Sequence, residues 1–278
     1  MDTERMFGDI QRHIANKEYD KVRQMVNGIV SSADDVGTLL KCASLLKVID
    51  DEEGCQSILD RVIEVSPKAD DKMSVAMSLR GLGRPDDAYQ MIMNENDTDD
   101  VLYEKARTLL MMDEGEESLS KIKKITKMST EHKLLLTEVL CSLGEFKEAY
   151  EVSSRLLDDE VSYRTLVNLC STMIRMGRNK DAIKKAKQYL KEGKDADSLA
   201  LAAYVMRING RITAAAAYAH RALTTDHTHR GALETMAYCL IEKSRFTEAK
   251  MMAGMINEVS PGDHAAIRII DACRQASR

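Results

Sequence analysis

The residues able to do chemistry in this chain are six histidines, six cysteines and many carboxylates, and their spacing joins few of them. His220, Asp226, His227 and His229 come nearest to a metal-ligand set, because a connection folded back between two helices would gather imidazole and carboxylate. The simpler reading is a polar connection with exposed histidines. Cys42, Cys55, Cys141, Cys170, Cys239 and Cys273 are scattered singly, with no Cys-x-x-Cys pair, and read as buried free thiols. Gly81-Leu82-Gly83-Arg84-Pro85-Asp86 begins like a dinucleotide loop but lacks the third glycine and a preceding strand, so it reads as a helix-hairpin turn. Phosphate-loop, nucleophile-elbow and zinc-protease motifs are absent from the sequence. The expectation is a protein without enzymatic activity that needs no cofactor and no metal.

Bulk composition narrows the partners. Over 278 residues, 40 basic side chains stand against 45 acidic ones, a formal charge of -5. No run of lysine and arginine stands out, so the footprint of nucleic-acid binding is missing. Apolar stretches such as Leu199 to Met206 fall short of the roughly 20 residues that cross a bilayer. The opening Met1-Asp2-Thr3-Glu4-Arg5 is charged and precedes no apolar signal core, which leads to an expected cytoplasmic location and no membrane partner. Aromatic content is only 4% with no Trp, while Met reaches 17, a balance that favours helices packed through aliphatic side chains.

Those helices must come in repeats. Glu64-Val65-Ser66-Pro67 recurs as Glu258-Val259-Ser260-Pro261, and between them a turn residue is followed by a small one. Anchored on the small residue, the series is Val22, Cys55, Ala88, Ser118, Ala149, Ala182, Ala215 and Ala249, at intervals of 33, 33, 30, 31, 33, 33 and 34 residues. Twelve residues upstream runs a second series: Ile10, Ala43, Ala76, Ala106, Thr137, Cys170, Ala203 and Ala237. Each unit reads as two helices, the first with apolar residues at i, i+3, i+4 and i+7, as in Leu166, Leu169, Cys170 and Met173. Gly144, Gly177 and Gly210 sit where a helix ends in the left-handed region, and Pro85 where a second helix can start. Paired small residues let two antiparallel helices approach closely; Ile10 with Val22 predicts a wider first hairpin.

The pattern resembles the tetratricopeptide repeat family over nearly the whole chain. The family's Trp is replaced by Leu or Met in six units and by Lys72 and Lys133 in two, and its terminal Pro survives as Pro67 and Pro261. The resemblance implies an all-α, right-handed α-solenoid of about eight helical hairpins, with 1–278 as a single repeat domain. Units would begin near residues 3, 36, 69, 99, 130, 163, 196 and 230. Asp263 would cap a last helix over 263–276 that closes the array.

In such arrays the first helices line a concave surface. The resemblance places Met73, Met77, Tyr103, Arg107, Asn168, Ser171, Arg175, Tyr204, Arg207 and Tyr238 there, beside Arg80, Leu110, Leu134, Glu138 and Val167. Arg and Tyr combine flat apolar faces with directional donors. The expected function is therefore an interaction scaffold or adaptor holding a protein or peptide with acidic and apolar side chains; the competing reading is that the arginines merely solvate a sticky face. The family's carboxylate clamp for chaperone tails does not carry over, because Asn168 matches but Glu138 and Asp197 would repel a carboxylate. Two alternatives stand: a self-assembling homo-oligomer pairing through its end helices, with Ala265, Ile269, Ala272 and Ala276 as an exposed stripe, and an enzyme or ligand sensor with no residue to point at.

Overall fold

The computed structural model of the protein describes residues 3–33, 35–65, 72–193, 195–259 and 264–276. Pro67, Ala69, Asp70, Pro261 and Asp263 lie outside them. The described residues fall into two compact units, Met1–Glu95 and Asn96–Arg278. The first holds α1 (Thr3–Ala15), α2 (Tyr19–Ser32), α3 (Val36–Val48), α4 (Glu52–Val65), α5 (Lys72–Gly81) and α6 (Pro85–Ile92). The second holds α7 (Asp99–Met111), α8 (Gly115–Ile122), α9 (Thr130–Ser142), α10 (Phe146–Asp159), α11 (Tyr163–Arg175), α12 (Asn179–Glu192), α13 (Ala196–Ile208), α14 (Ile212–Thr225), α15 (Arg230–Ile241), α16 (Phe246–Val259) and α17 (His264–Ala276). Among the described residues there is no strand. No described helix is long and apolar enough to cross a membrane.

The turn inside each hairpin is one structure used eight times. Lys17, Asp50, Gly83, Asp113, Gly144, Gly177, Gly210 and Ser244 all have positive φ, between 57° and 89°. The next residue donates its N–H to the carbonyl five residues back, as in Glu145 to Leu140 (2.9 Å) and Arg178 to Met173 (2.8 Å). This is the closure of a helix by a left-handed residue, and it satisfies carbonyls the helix end would strand. Four turns use Gly; the other four show that Lys, Asp and Ser are held there against their preference. A Cβ added at Gly144 meets nothing within 4 Å, so Gly144→Ala isolates the backbone cost. It should destabilise by about 1–2 kcal/mol, read as a lower urea midpoint without change of slope.

First helices begin differently. Asp35, Thr98, Ser129, Ser162, Asp195 and His229 each accept from the backbone N–H three residues on, at the starts of α3, α7, α9, α11, α13 and α15. Second helices have no such cap at Glu18, Arg84, Glu114, Glu145, Arg178 or Arg211, since the tight turn launches them directly. Pro85 occupies the first turn of α6, where its missing N–H costs nothing.

Both small-residue series lie at the helix contact. Every member of either series is at most 1% exposed, Ile10 and Val22 included. The close approach is direct at Ala106, whose carbonyl accepts the Ser118 hydroxyl at 2.6 Å. The Lys residues at two of the family's Trp positions reach across their own hairpins, Lys72 to Glu95 (3.0 Å) and Lys133 to Asp159 (2.8 Å).

The helix α17 corrects one expectation. Ile269 and Ala265 have no exposed surface, packed in a cluster with Leu233, Ala237, Ala253 and Ile256. Packing against α15 and α16 covers Ala265 and Ile269, leaving Ala272 half-buried and Ala276 exposed, so the largest side chain of the expected stripe does not face outward.

Candidate functional site

Within the second unit the first helices α7, α9, α11, α13, α15 and α17 pack in succession, each on the next. Their unshared faces enclose a cavity of about 680 Å³. It is lined by Arg107 of α7, Leu134, Thr137, Glu138 and Cys141 of α9, and Tyr163, Arg164, Val167, Asn168, Ser171, Thr172 and Arg175 of α11. Tyr204 and Arg207 of α13, Arg230, Gly231, Glu234 and Thr235 of α15, and Arg268 of α17 complete it.

Six guanidinium groups thus share a cavity with two carboxylates. Three are spoken for: Arg164 pairs with Glu131, while Arg230 (3.9 Å) and Arg268 (3.0 Å) converge on Glu234. Arg107, Arg175 and Arg207 form no ion pair among the described residues. Arg207 lies over the Tyr238 ring, 4.9 Å from its centroid, and its Nε is buried without a hydrogen-bond partner. The Asn168 Oδ1 is likewise buried and unpaired. An unmatched donor and an unmatched acceptor thus lie buried in the wall of this cavity.

Glu138 is the exception in sign. The residue is exposed by surface area, yet it stands in the concavity among many surrounding atoms, and the resulting desolvation pushes its pKa above the usual carboxylate range. Arg107, Arg268, Arg164 and Arg175 oppose the shift through space without winning. A carboxyl whose pKa is raised by folding favours the protonated folded state, so its ionised form costs stability as pH rises through the carboxylate range. Glu138→Gln should raise the thermal midpoint at neutral pH, and the gain should shrink as the pH is lowered until the wild-type carboxyl is protonated as well.

Of the residues expected on the concave surface, Arg107, Asn168, Ser171, Arg175, Tyr204 and Arg207 line this cavity, as do Leu134, Glu138 and Val167. Tyr238 supports Arg207 from beneath, and Tyr103 packs on His132 at 5.1 Å between ring centroids. Met73 and Met77 belong to α5 of the first unit, Met73 half-buried and Met77 44% exposed. Arg80, expected on the concave face, is only 3% exposed.

Sequence reasoning missed Tyr163, Arg164, Arg230, Glu234 and Arg268. Their signal is positional: Tyr163 and Arg230 open first helices, and the turn of a first helix nearest its start leans into the cavity. His229 is also reassigned. Its side chain is only 9% exposed; Nδ1 accepts the Ala232 N–H (3.1 Å) while Nε2 meets Asp197 Oδ1 at 2.8 Å. That pattern needs the proton on Nε2, making His229 a helix cap rather than an exposed loop residue or a ligand. Among the described residues no His, Cys, Asp or Glu cluster could hold a metal. All six cysteines are buried, and burial pushes Cys42 up to about 11 and Cys170 up to about 12, which keeps both thiols protonated and inert.

Helical hairpins closed by one recurring turn, stacked through first helices and paired at small residues, define a repeat fold of tetratricopeptide type. The fold is shared with a tetratricopeptide repeat protein from Parabacteroides merdae ATCC 43184, at 12% identity and a TM-score of 0.50, covering 85% of this chain and 98% of that one. A thermophilic tetratricopeptide repeat protein from Thermus thermophilus aligns at 20% identity and a TM-score of 0.48, over 61% of this chain and 97% of that one. No protein-family model matches the sequence, and comparison with curated proteins finds no match.

Proposed function

We propose that the protein is an interaction scaffold whose second unit holds an acidic segment of a partner protein in the arginine-lined cavity, with no chemistry performed on it. The observation that carries this reading is the set of unpaired guanidiniums, Arg107, Arg175 and Arg207, in one concave site. Solvation alone does not require Arg207 to bury an unpaired Nε against Tyr238. Partner carboxylates would take Arg107 and Arg175 as charge-assisted pairs, and Tyr204 with Val167 would meet apolar side chains. Glu138 sets a condition on the partner: a donor must face it, so a uniformly acidic segment binds less well than one with an N–H or a basic group at that point.

Tyr103 and Tyr238 complete the proposed contact set of the second unit, Met73 and Met77 are proposed as a contact surface of the first unit by itself, and the location inferred for the scaffold is the cytoplasm. A photo-crosslinking side chain placed at Ser171 tests the site directly. It should trap the partner in intact cells, whereas the same group at Arg155, on the outer face of α10 and 80% exposed, should not. Equal trapping from both positions would reject the cavity as the binding site.

A further inference from the structure

We infer that α12 and the α7–α8 turn are complementary halves of a contact between two copies of this chain. The first half is a lysine stripe. Lys180, Lys184, Lys187 and Lys191 recur at i, i+4, i+7 and i+11, which sets all four on one narrow arc of α12 over about 16 Å. All four are exposed, and none forms an ion pair among the described residues. Because the lysines follow the helical period rather than standing side by side, the sequence shows no basic run; the helix assembles one.

The two carboxylates of α12 itself are already engaged. Asp181 holds Arg178 at 2.8 Å, and Glu192 accepts from Gln188 at 3.0 Å. The helix α14, which packs with α12 on α13, contains no Asp or Glu. Other second helices pair their outer charges locally, as Arg155 does with Glu151 and Arg245 with Glu248. Like charges at i, i+3 and i, i+4 repel, so the stripe weakens its own helix and folding gives no reason for it.

The second half has the opposite sign on the same unit. Asp113, Glu114, Glu116 and Glu117 surround the α7–α8 turn, all exposed, and none forms an ion pair among the described residues. Beside them Met111 is 52% exposed, an apolar surface for the lysine methylene stems. The turn and the stripe belong to different repeats, and α10 intervenes between α8 and α12 in the order of second helices. A contact joining two different patches is heterologous, so copies add head to tail into short open chains or a ring. Its basis is charge, which makes it weak and sensitive to salt.

Sedimentation velocity on the full chain tests this at low and high salt. Wild type should gain mass with concentration at low salt and return to a monomer at high salt. Lys184→Glu/Lys187→Glu and Glu116→Lys/Glu117→Lys should each be monomeric in both conditions, with unchanged helicity. Mixing the two variants should restore association at low salt, because each supplies the charge the other reversed. A wild-type protein that stays monomeric at low salt and high concentration would overturn the inference. So would association that survives in either variant alone, or a mixture that stays monomeric. If wild type is monomeric but its lysines bind anionic lipid vesicles, the stripe is a membrane-facing surface and the pairing of copies is wrong. Neither variant touches the arginine-lined cavity, so failure here leaves the proposed function standing, and the reverse.

Discussion

Ala215→Leu is expected to destabilise the protein by about 2–3 kcal/mol, one of the largest single effects the fold allows. Ala215 has no exposed surface, and it packs with Met206 and Cys239 where α14 lies closest to α13 and α15. Three added carbons have no void to enter, and the two helices cannot separate without shifting the next hairpin, because consecutive first helices share a contact layer. Ala217→Leu makes the control. It lies on the same helix, exposed, and should change stability by less than about 0.5 kcal/mol. Urea unfolding of both variants compares them. A small effect at Ala215 would show that the hairpin tolerates separation, and would undo the account of the small-residue series.

The second large effect is expected at Gly231, where α15 passes the Tyr163 ring of α11. A Cβ there would lie 2.6 Å from Cε1 and Cζ of Tyr163, inside any real contact. The ring is not free to swing aside. It stands edge-on to His229 with centroids 5.1 Å apart, and His229 is fixed between the α15 backbone and Asp197. Gly231→Ala should cost about 1–3 kcal/mol through overpacking and disturb the wall of the cavity. Trimming the ring should relieve the clash, so Gly231→Ala/Tyr163→Leu should lose less stability than the two single changes summed. Strict additivity by thermal or urea unfolding would mean that the two residues do not meet.

How much of this was legible in the sequence depends on whether a feature repeats. The small residues at Ala76 and Ala88, or at Ala203 and Ala215, declare themselves because each hairpin needs the same close approach. Three glycine turns are legible for the same reason. Their equivalents at Lys17, Asp50 and Asp113 are not, since a left-handed backbone can be enforced on any residue by the hydrogen bonds closing the helix, and nothing in the side chain announces it. The cavity was legible where it follows the register, at Arg107, Asn168, Ser171, Arg175 and Arg207. It was missed at Tyr163, which opens a first helix ahead of the positions the register marks, and at Arg268, which sits on the closing helix α17 outside the hairpins. Ile269 misled because a stripe on one helix says nothing about how many neighbours that helix has; α17 is covered by both α15 and α16. His229 misled because a histidine between two helices looks like solvent-exposed polarity until its two nitrogens are seen to be occupied.

The central claim is that the unpaired arginines hold a partner, and charge reversal measures it most directly. Binding of a cavity-crosslinked partner should be compared, by titration, between wild type and Arg107→Glu/Arg175→Glu. Arg107 is half-buried and Arg175 exposed at the cavity, neither in an ion pair, so the exchange should leave helicity unchanged, while the loss of two cations that favour ionised Glu138 should lower the unfolding midpoint somewhat without unfolding the protein at the assay temperature. Loss of two charge-assisted contacts, together with repulsion of the partner's carboxylates, predicts an affinity lower by about 100-fold or more. Unchanged affinity in a folded double variant would contradict the account: the arginines would then be solvating the groove, and the partner would bind elsewhere on the molecule.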